Sequence, residues 1–156
     1  MKRRELVQAA TGAATLGLAG MLPSVAMAQS AAPAAWNKAA FEAKNLADVV
    51  KAMGGTSAAT ESKDVTLNAP EIAENGNVVR IGAQSAAAGT TWLGLVIEKN
   101  PAALAAGFDV IAGTDANMST NVKMGQSTNV YALAKVGDQF IYALKEVKVT
   151  LGGCGG

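Results

Sequence analysis

The chain has 156 residues, half of them hydrophobic, with 13 basic and 12 acidic side chains, one cysteine and no histidine. A formal net charge of +1 supplies no basic field for nucleic acid or an anionic membrane surface. Without histidine, zinc and copper sites and histidine-based catalytic dyads lose their commonest ligand or base, which makes the chain a poor candidate for an enzyme.

In chain order, Met1 to Gln8 is a basic opening with two adjacent arginines, followed by an Ala-, Gly-, Thr- and Leu-rich run from Ala9 to Leu22. Pro23 and the A-x-A signal Ala26-Met27-Ala28 come next, so residues 1–28 read as a secretory signal peptide cleaved after Ala28. The apolar run falls short of a bilayer span of about 20 residues and is too rich in Gly and Thr for an anchor. Arg3-Arg4 before a weakly hydrophobic core resembles the twin-arginine export signal, which accepts folded cargo. Lys2 and Leu6 depart from that pattern, where Ser or Thr and Phe are common. The expected compartment is a bacterial periplasm. Removing Lys2, Arg3, Arg4 and Glu5 from totals of 13 and 12 leaves 10 basic and 11 acidic residues, a net charge of −1. The mature length fits one domain with a sizeable core.

Ala31 to Ala35 is a short leader, and Trp36 to Met53 is predicted as one helix, with Leu46, Val49, Val50 and Met53 at the 3.6 period and Gly54-Gly55 as the stop. A polar loop runs on to about Lys63. From Asp64 the period changes to two. Predicted strands are Val65–Asn68, Val78–Gln84, Thr91–Glu98, Phe108–Ile111, Ser119–Met124, Thr128–Val136 and Gln139–Leu151. Turn signals separate them at Asn75-Gly76, Asn100-Pro101, Gly113-Thr114-Asp115 and Gly137-Asp138, the last joining two alternating runs as a tight hairpin. In the final run Phe140, Tyr142 and Leu144 share one parity, while Val147, Val149 and Leu151 take the other, which predicts a bulge or bend near Lys145-Glu146. The expected fold is mainly β: an immunoglobulin-like β-sandwich preceded by one N-terminal helix, over residues 29–151, with a flexible C-terminal arm at 152–156. Trp36, Phe41, Met53 and Trp92 are expected in the core or at a subunit interface, and the methionines as gap fillers.

The chain ends in Gly152-Gly153-Cys154-Gly155-Gly156. Four glycines around the sole thiol form an arm without side-chain bulk, spanning at most about 17 Å when extended. The pattern alone leaves two readings open, an ordinary disordered tail and a thiol presented to a pocket on another protein. A single cysteine in a periplasmic chain closes no internal disulfide, so the thiol is free, paired between chains or chemically occupied. A thiol-disulfide enzyme needs a resolving cysteine or a Cys-x-x-Cys pair, and the chain has neither. A thiol forms sulfur–sulfur bonds reversibly, as a carrier must. The nearest charge in sequence is the carboxylate of Gly156, which disfavours the thiolate, so activation is expected inside a partner pocket. No catalytic or metal-ligating set is nominated.

Pro70-Glu71-Ile72-Ala73-Glu74-Asn75-Gly76-Asn77-Val78-Val79 is a polar turn entering a strand, and a second segment, from Asn121-Val122-Lys123-Met124 to Lys145-Glu146-Val147-Lys148-Val149-Thr150-Leu151, leads into the arm. With the export signal and the ending Val-Thr-Leu-Gly-Gly-Cys-Gly-Gly, they resemble the SoxY family, the Y subunit of the sulfur-oxidation (Sox) carrier. Asn121 stands where that family commonly has an arginine. The resemblance implies a heterodimer with the Z subunit (SoxZ), and Cys154 as the covalent attachment point for sulfur species, with no other cofactor. It implies that a c-type cytochrome pair (SoxAX) couples thiosulfate to Cys154 and that a manganese-dependent hydrolase (SoxB) releases sulfate. In some organisms a sulfur dehydrogenase (SoxCD) then oxidises the remaining sulfane sulfur. On this reading Gly152, Gly153, Gly155 and Gly156 are the arm, and the protein is a non-enzymatic carrier. Glu71, Glu74, Asn75 and Lys148 are candidate partner contacts, although Asn-Gly alone explains a solvated turn there. Lys145 and Lys148 are either steering charges for thiosulfate or ordinary solvent-facing strand lysines. The competing function is a structural periplasmic sandwich subunit whose cysteine only forms an interchain disulfide.

Overall fold

A computed structural model describes residues 37–150. The signal peptide with its cleavage point, Trp36, Leu151 and the 152–156 arm with Cys154 lie outside the described residues. The chain divides between Ala34 and Ala35, and everything described belongs to the second unit.

The segment expected as one helix is two, α1 (Lys38–Glu42) and α2 (Leu46–Ala52). Each begins at an asparagine whose side chain caps it: Ala40 N donates to Asn37 Oδ1 at 3.1 Å and Asp48 N to Asn45 Oδ1 at 2.9 Å. An Asn side chain competes with the helical backbone and favours a new start. The break is fixed from outside as well. Ala43 turns extended with ψ 144°, and its carbonyl accepts from Ala103 N at 2.9 Å, which commits it to a neighbouring element.

Nine strands follow: β1 (Thr60–Glu61), β2 (Val65–Asn68), β3 (Ile72–Ala73), β4 (Val79–Ser85), β5 (Thr90–Ile97), β6 (Leu104–Asp109), β7 (Asn117–Val122), β8 (Thr128–Val136) and β9 (Gln139–Val149). They form a sandwich of immunoglobulin-like kind. One sheet runs β1-β9-β8-β5-β6, with β3 also paired to β9, and the other runs β2-β4-β7. The expectation at Phe108–Ile111 is displaced, since β6 starts at Leu104 and ends at Asp109. Likewise β7 starts two residues before Ser119 and stops at Val122. β1 and β3 were not predicted, and both lie parallel to β9 along one edge.

The predicted bulge near Lys145-Glu146 is absent. The β8–β9 register runs without a shift from Val136↔Gln139 to Thr128↔Val147. Irregularities occur in β5 instead, between Leu95 and Val96 against β6 and between Thr90 and Trp92 against β8. The change of parity in β9 has another cause. Both faces of the larger sheet are covered, but over different stretches of this strand. Phe140 and Tyr142 join a cluster with Val49, Val50, Trp92, Val96 and Leu133 under the two helices. Ile141, Ala143, Val147 and Val149 face the second core, between the sheets, with Val79, Ile81, Leu93, Leu95 and Met124. A straight strand can therefore be apolar on even positions near its hairpin and on odd positions towards its end.

The hairpin itself is a two-residue loop with Gly137 at φ 58°, a backbone that glycine adopts freely. Trp92 is core, at 6 % exposure, and its indole stands edge-on to Phe140 at 6.5 Å. The ring lies over the paired glycines Gly94 and Gly107, so that a Cβ at Gly107 would fall 2.7 Å from Trp92 Cζ2. Phe41 and Met53 pack, partly buried, on the same helix-side cluster. Lys135 spans that face, with Nζ 3.2 Å from Met53 O and 5.6 Å from the Phe140 ring centre.

Candidate functional site at the root of the C-terminal segment

β9 leads directly to the glycine-cysteine segment, and its last residues are held on both edges. On one edge β3 pairs Ile72 with Lys148 and Ala73 with Val149. Lys148 N donates to Glu71 O at 2.9 Å and Thr150 N to Ala73 O at 3.1 Å. On the other edge β8 pairs no further than Val147, opposite Thr128, so the Val149 amide has no strand carbonyl beside it. Ser127 Oγ takes its place, accepting from Val149 N at 2.9 Å. The Thr150 hydroxyl donates to Glu74 O at 3.2 Å. The amides of Lys148, Val149 and Thr150 are thus all satisfied, as backbone leaving a core must be.

The 70–77 turn is tied down independently. Asn75 Oδ1 accepts from Asn77 N at 3.0 Å, an Asx turn, and Val78 N donates to Asn75 O at 3.2 Å. Gly76 is buried, and its carbonyl accepts from Met124 N at 2.7 Å. A Cβ at Gly76 would overlap Met124 O and stand 2.8 Å from Val149 Cγ1, so the position needs glycine for close approach. Lys145 is half-buried and donates to Ala69 O at 2.9 Å. Its 4.0 Å pair with Glu71 is exposed, and such a pair contributes little.

The structure bonds Lys148 N to Glu71 O and the Thr150 hydroxyl to Glu74 O, with Asn75 next along the same turn, and all four predicted residues have exposed side chains. Lys145 also reaches this group through its pair with Glu71, while its bond to Ala69 O fastens the turn. Sequence reasoning passed over Ser127, Thr150 and the packing role of Gly76. The only signal for the first two was hydroxyl chemistry next to strand ends. Ile72 and Val78, 57 % and 60 % exposed, border an open cleft of about 370 Å³ beside this root, which Arg80 also lines. Among the described residues no three acidic side chains converge as a metal site. No helix there is long and apolar enough to cross a membrane.

Comparison with known proteins places these features in a family. Residues 50–154 match the family model described as sulfur oxidation protein SoxY, a span that starts in α2 and ends at Cys154. The solved structure of the sulfur carrier protein SoxY from Chlorobium limicola f thiosulfatophilum is similar, with 30 % identity and a TM-score of 0.63, covering 69 % of this chain and 97 % of that one. Two variants of a superoxide reductase (neelaredoxin) from Ignicoccus hospitalis match with TM-scores of 0.49. Their identities are 18 % and 20 %, over 58 % and 64 % of this chain and 82 % and 87 % of theirs. No curated protein matches the sequence. With the family model spanning well over half of its length up to the sole cysteine, the chain belongs to the SoxY family of sulfur oxidation proteins.

Proposed function

We propose that this protein is a covalent carrier of sulfur intermediates in periplasmic thiosulfate oxidation, holding them on Cys154 and presenting them to partner enzymes. The observation that carries the reading is that the family match extends to residue 154, the only cysteine in the chain. Support also comes from the root described above, which holds β9 to Thr150 and leaves four residues to Cys154, a reach of about 14 Å.

The chemistry asks little of the carrier. The thiol and thiosulfate join through a new sulfur–sulfur bond, losing one proton and two electrons to the c-type cytochrome pair SoxAX. Water then cleaves the terminal sulfonate as sulfate in the hydrolase SoxB, leaving a persulfide, which SoxCD oxidises where that enzyme exists. Catalytic groups belong to those partners, and the carrier contributes no metal and no cofactor beyond the sulfur on Cys154. SoxZ is the heterodimer partner, and the twin-arginine signal would export the folded pair to the periplasm. Glu71, Glu74, Asn75 and Lys148 serve as partner contacts around the arm, with Gly152, Gly153, Gly155 and Gly156 giving it freedom to enter pockets.

Intact-mass spectrometry of the mature protein, purified without reductant from cells grown on thiosulfate, tests this. Reductant-sensitive mass increments on Cys154 matching sulfane or thiosulfonate groups are expected, and Cys154→Ser should abolish turnover while folding normally. A bare thiol, or only a Cys154–Cys154 dimer, would instead assign the chain a structural role.

A further inference from the structure

Three side chains beside the root are used neither by the fold nor by the chemistry above. Ile72 and Val78 are 57 % and 60 % exposed, although both are β-branched apolar residues and Ile72 lies in a strand. Arg80 projects from β4 between the buried Val79 and Ile81. It takes no part in either ion pair found among the described residues, Lys38–Glu42 and Lys145–Glu71. All three line the same open cleft, whose wall includes Ala73 and Glu74. Those two residues accept the amide and hydroxyl of Thr150.

The length of chain beyond Thr150 decides what covers this cleft. Cys154 lies four residues further on, about 14 Å at full extension. A pocket that takes the sulfur inside spends that reach on its own depth, so its mouth must close on the residues flanking Thr150. Ile72, Val78 and Arg80 stand there on the cleft, beside the exposed Lys148 that pairs with Ile72. We infer that they form a docking rim on which the mouth of a partner enzyme's pocket seats while Cys154 is inside. The matching surface is apolar, with a carboxylate opposite Arg80. The inference rests on the carrier reading and adds to it a contact surface outside the arm.

The test uses the full mature protein in its native complex, loaded by exchange with tetrathionate. The Cys154 thiolate attacks a central sulfur, a protein sulfur–sulfur bond forms as the tetrathionate one breaks, and thiosulfate leaves with the electron pair. Sulfate release by the purified hydrolase is then followed against carrier concentration for wild type, Ile72→Ser/Val78→Ser and Arg80→Glu. The substituted side chains are exposed, so folding is retained, and a thermal melt checks it. The expected result is a KM raised about tenfold in the double variant with kcat within about twofold, because the loaded cysteine is the same. Arg80→Glu should raise KM at low salt, with the gap to wild type closing as salt is added. Equal KM values in all three proteins overturn the rim, as does a lowered kcat at unchanged KM. Loss of a dimer in the double variant by sedimentation, with KM unchanged, reassigns the patch to self-association and overturns it too. A loaded wild type that releases no sulfate overturns the carrier reading itself, and the rim with it.

Discussion

Replacing Ser127 by alanine removes one atom group whose whole structural task is visible. Its hydroxyl oxygen accepts from Val149 N at 2.9 Å, at the point where the β8–β9 ladder has ended. A typical hydrogen bond contributes about 0.5–1.5 kcal/mol net, and a donor left unpaired in the interior costs more. Val149 is only half-buried, so water reaches its amide after modest fraying, and about 1 kcal/mol is the appropriate figure. That corresponds to roughly a fivefold loss of protection in amide exchange. Native-state hydrogen exchange read by NMR resolves it, with Val149 falling about fivefold while amides in the middle of β8 hold their values. Lys148 and Thr150, bonded on the opposite edge to Glu71 and Ala73, should fall less. Unchanged protection at Val149 would refute the assignment of Ser127 as the substitute for the missing strand. An equal loss throughout β8 would refute it as well, since it would show global destabilisation rather than local release.

Gly76→Ala drives a methyl group into Met124 O and Val149 Cγ1, so the 70–77 turn must move away from β9. Overpacking of this kind costs about 1–3 kcal/mol, read as a lowered denaturation midpoint with an unchanged m-value. Gly94→Ala should cost more than Gly76→Ala, because the displaced group is the Trp92 indole in the core, and a red-shifted Trp92 emission would report the displacement. Alkaline pH gives another test. Burial raises the Tyr131 hydroxyl above its ordinary 10.0, and the Glu98 carboxylate adds to the effect. Its proton is held more tightly folded than unfolded, so this contribution is complete below pH 10 and is lost as pH rises through the folded value. Tyr131→Phe should flatten the fall in denaturation midpoint above pH 10, and an identical fall in both proteins would refute the link.

Much of the sandwich was legible because its central strands are long and alternate strictly. β2 and β8 occupy the predicted residues, and the Gly137-Asp138 hairpin joins β8 to β9 as its spacing implies. The mistakes share a physical origin in contacts between distant segments. The single helix expected at 36–53 is cut where Ala43 bonds to Ala103, a partner 60 positions along the chain and invisible to local periodicity. β6 was placed too late because Leu104-Ala105-Ala106-Gly107 lacks β-branched residues, and its small side chains are needed beneath Trp92. The bend predicted in β9 came from assuming one covered face, whereas the helices cover the other near the hairpin. β1 and β3 are two residues each and leave no period to detect. At the candidate site, residue identity pointed to the 71–75 turn and Lys148, but nothing in local sequence shows that parallel pairing with β9 sets them side by side.

The position of the cysteine just past β9 also makes it a mechanical handle. A pull passed through Thr150 in the direction of β9 loads a strand joined to β8 through nine register pairs from Gln139 to Val147. Load applied that way shears the whole ladder at once instead of peeling it pair by pair, and β1 and β3 brace the far edge. Tension arriving through Thr150 would thus be spread along the strand instead of falling on its last pair.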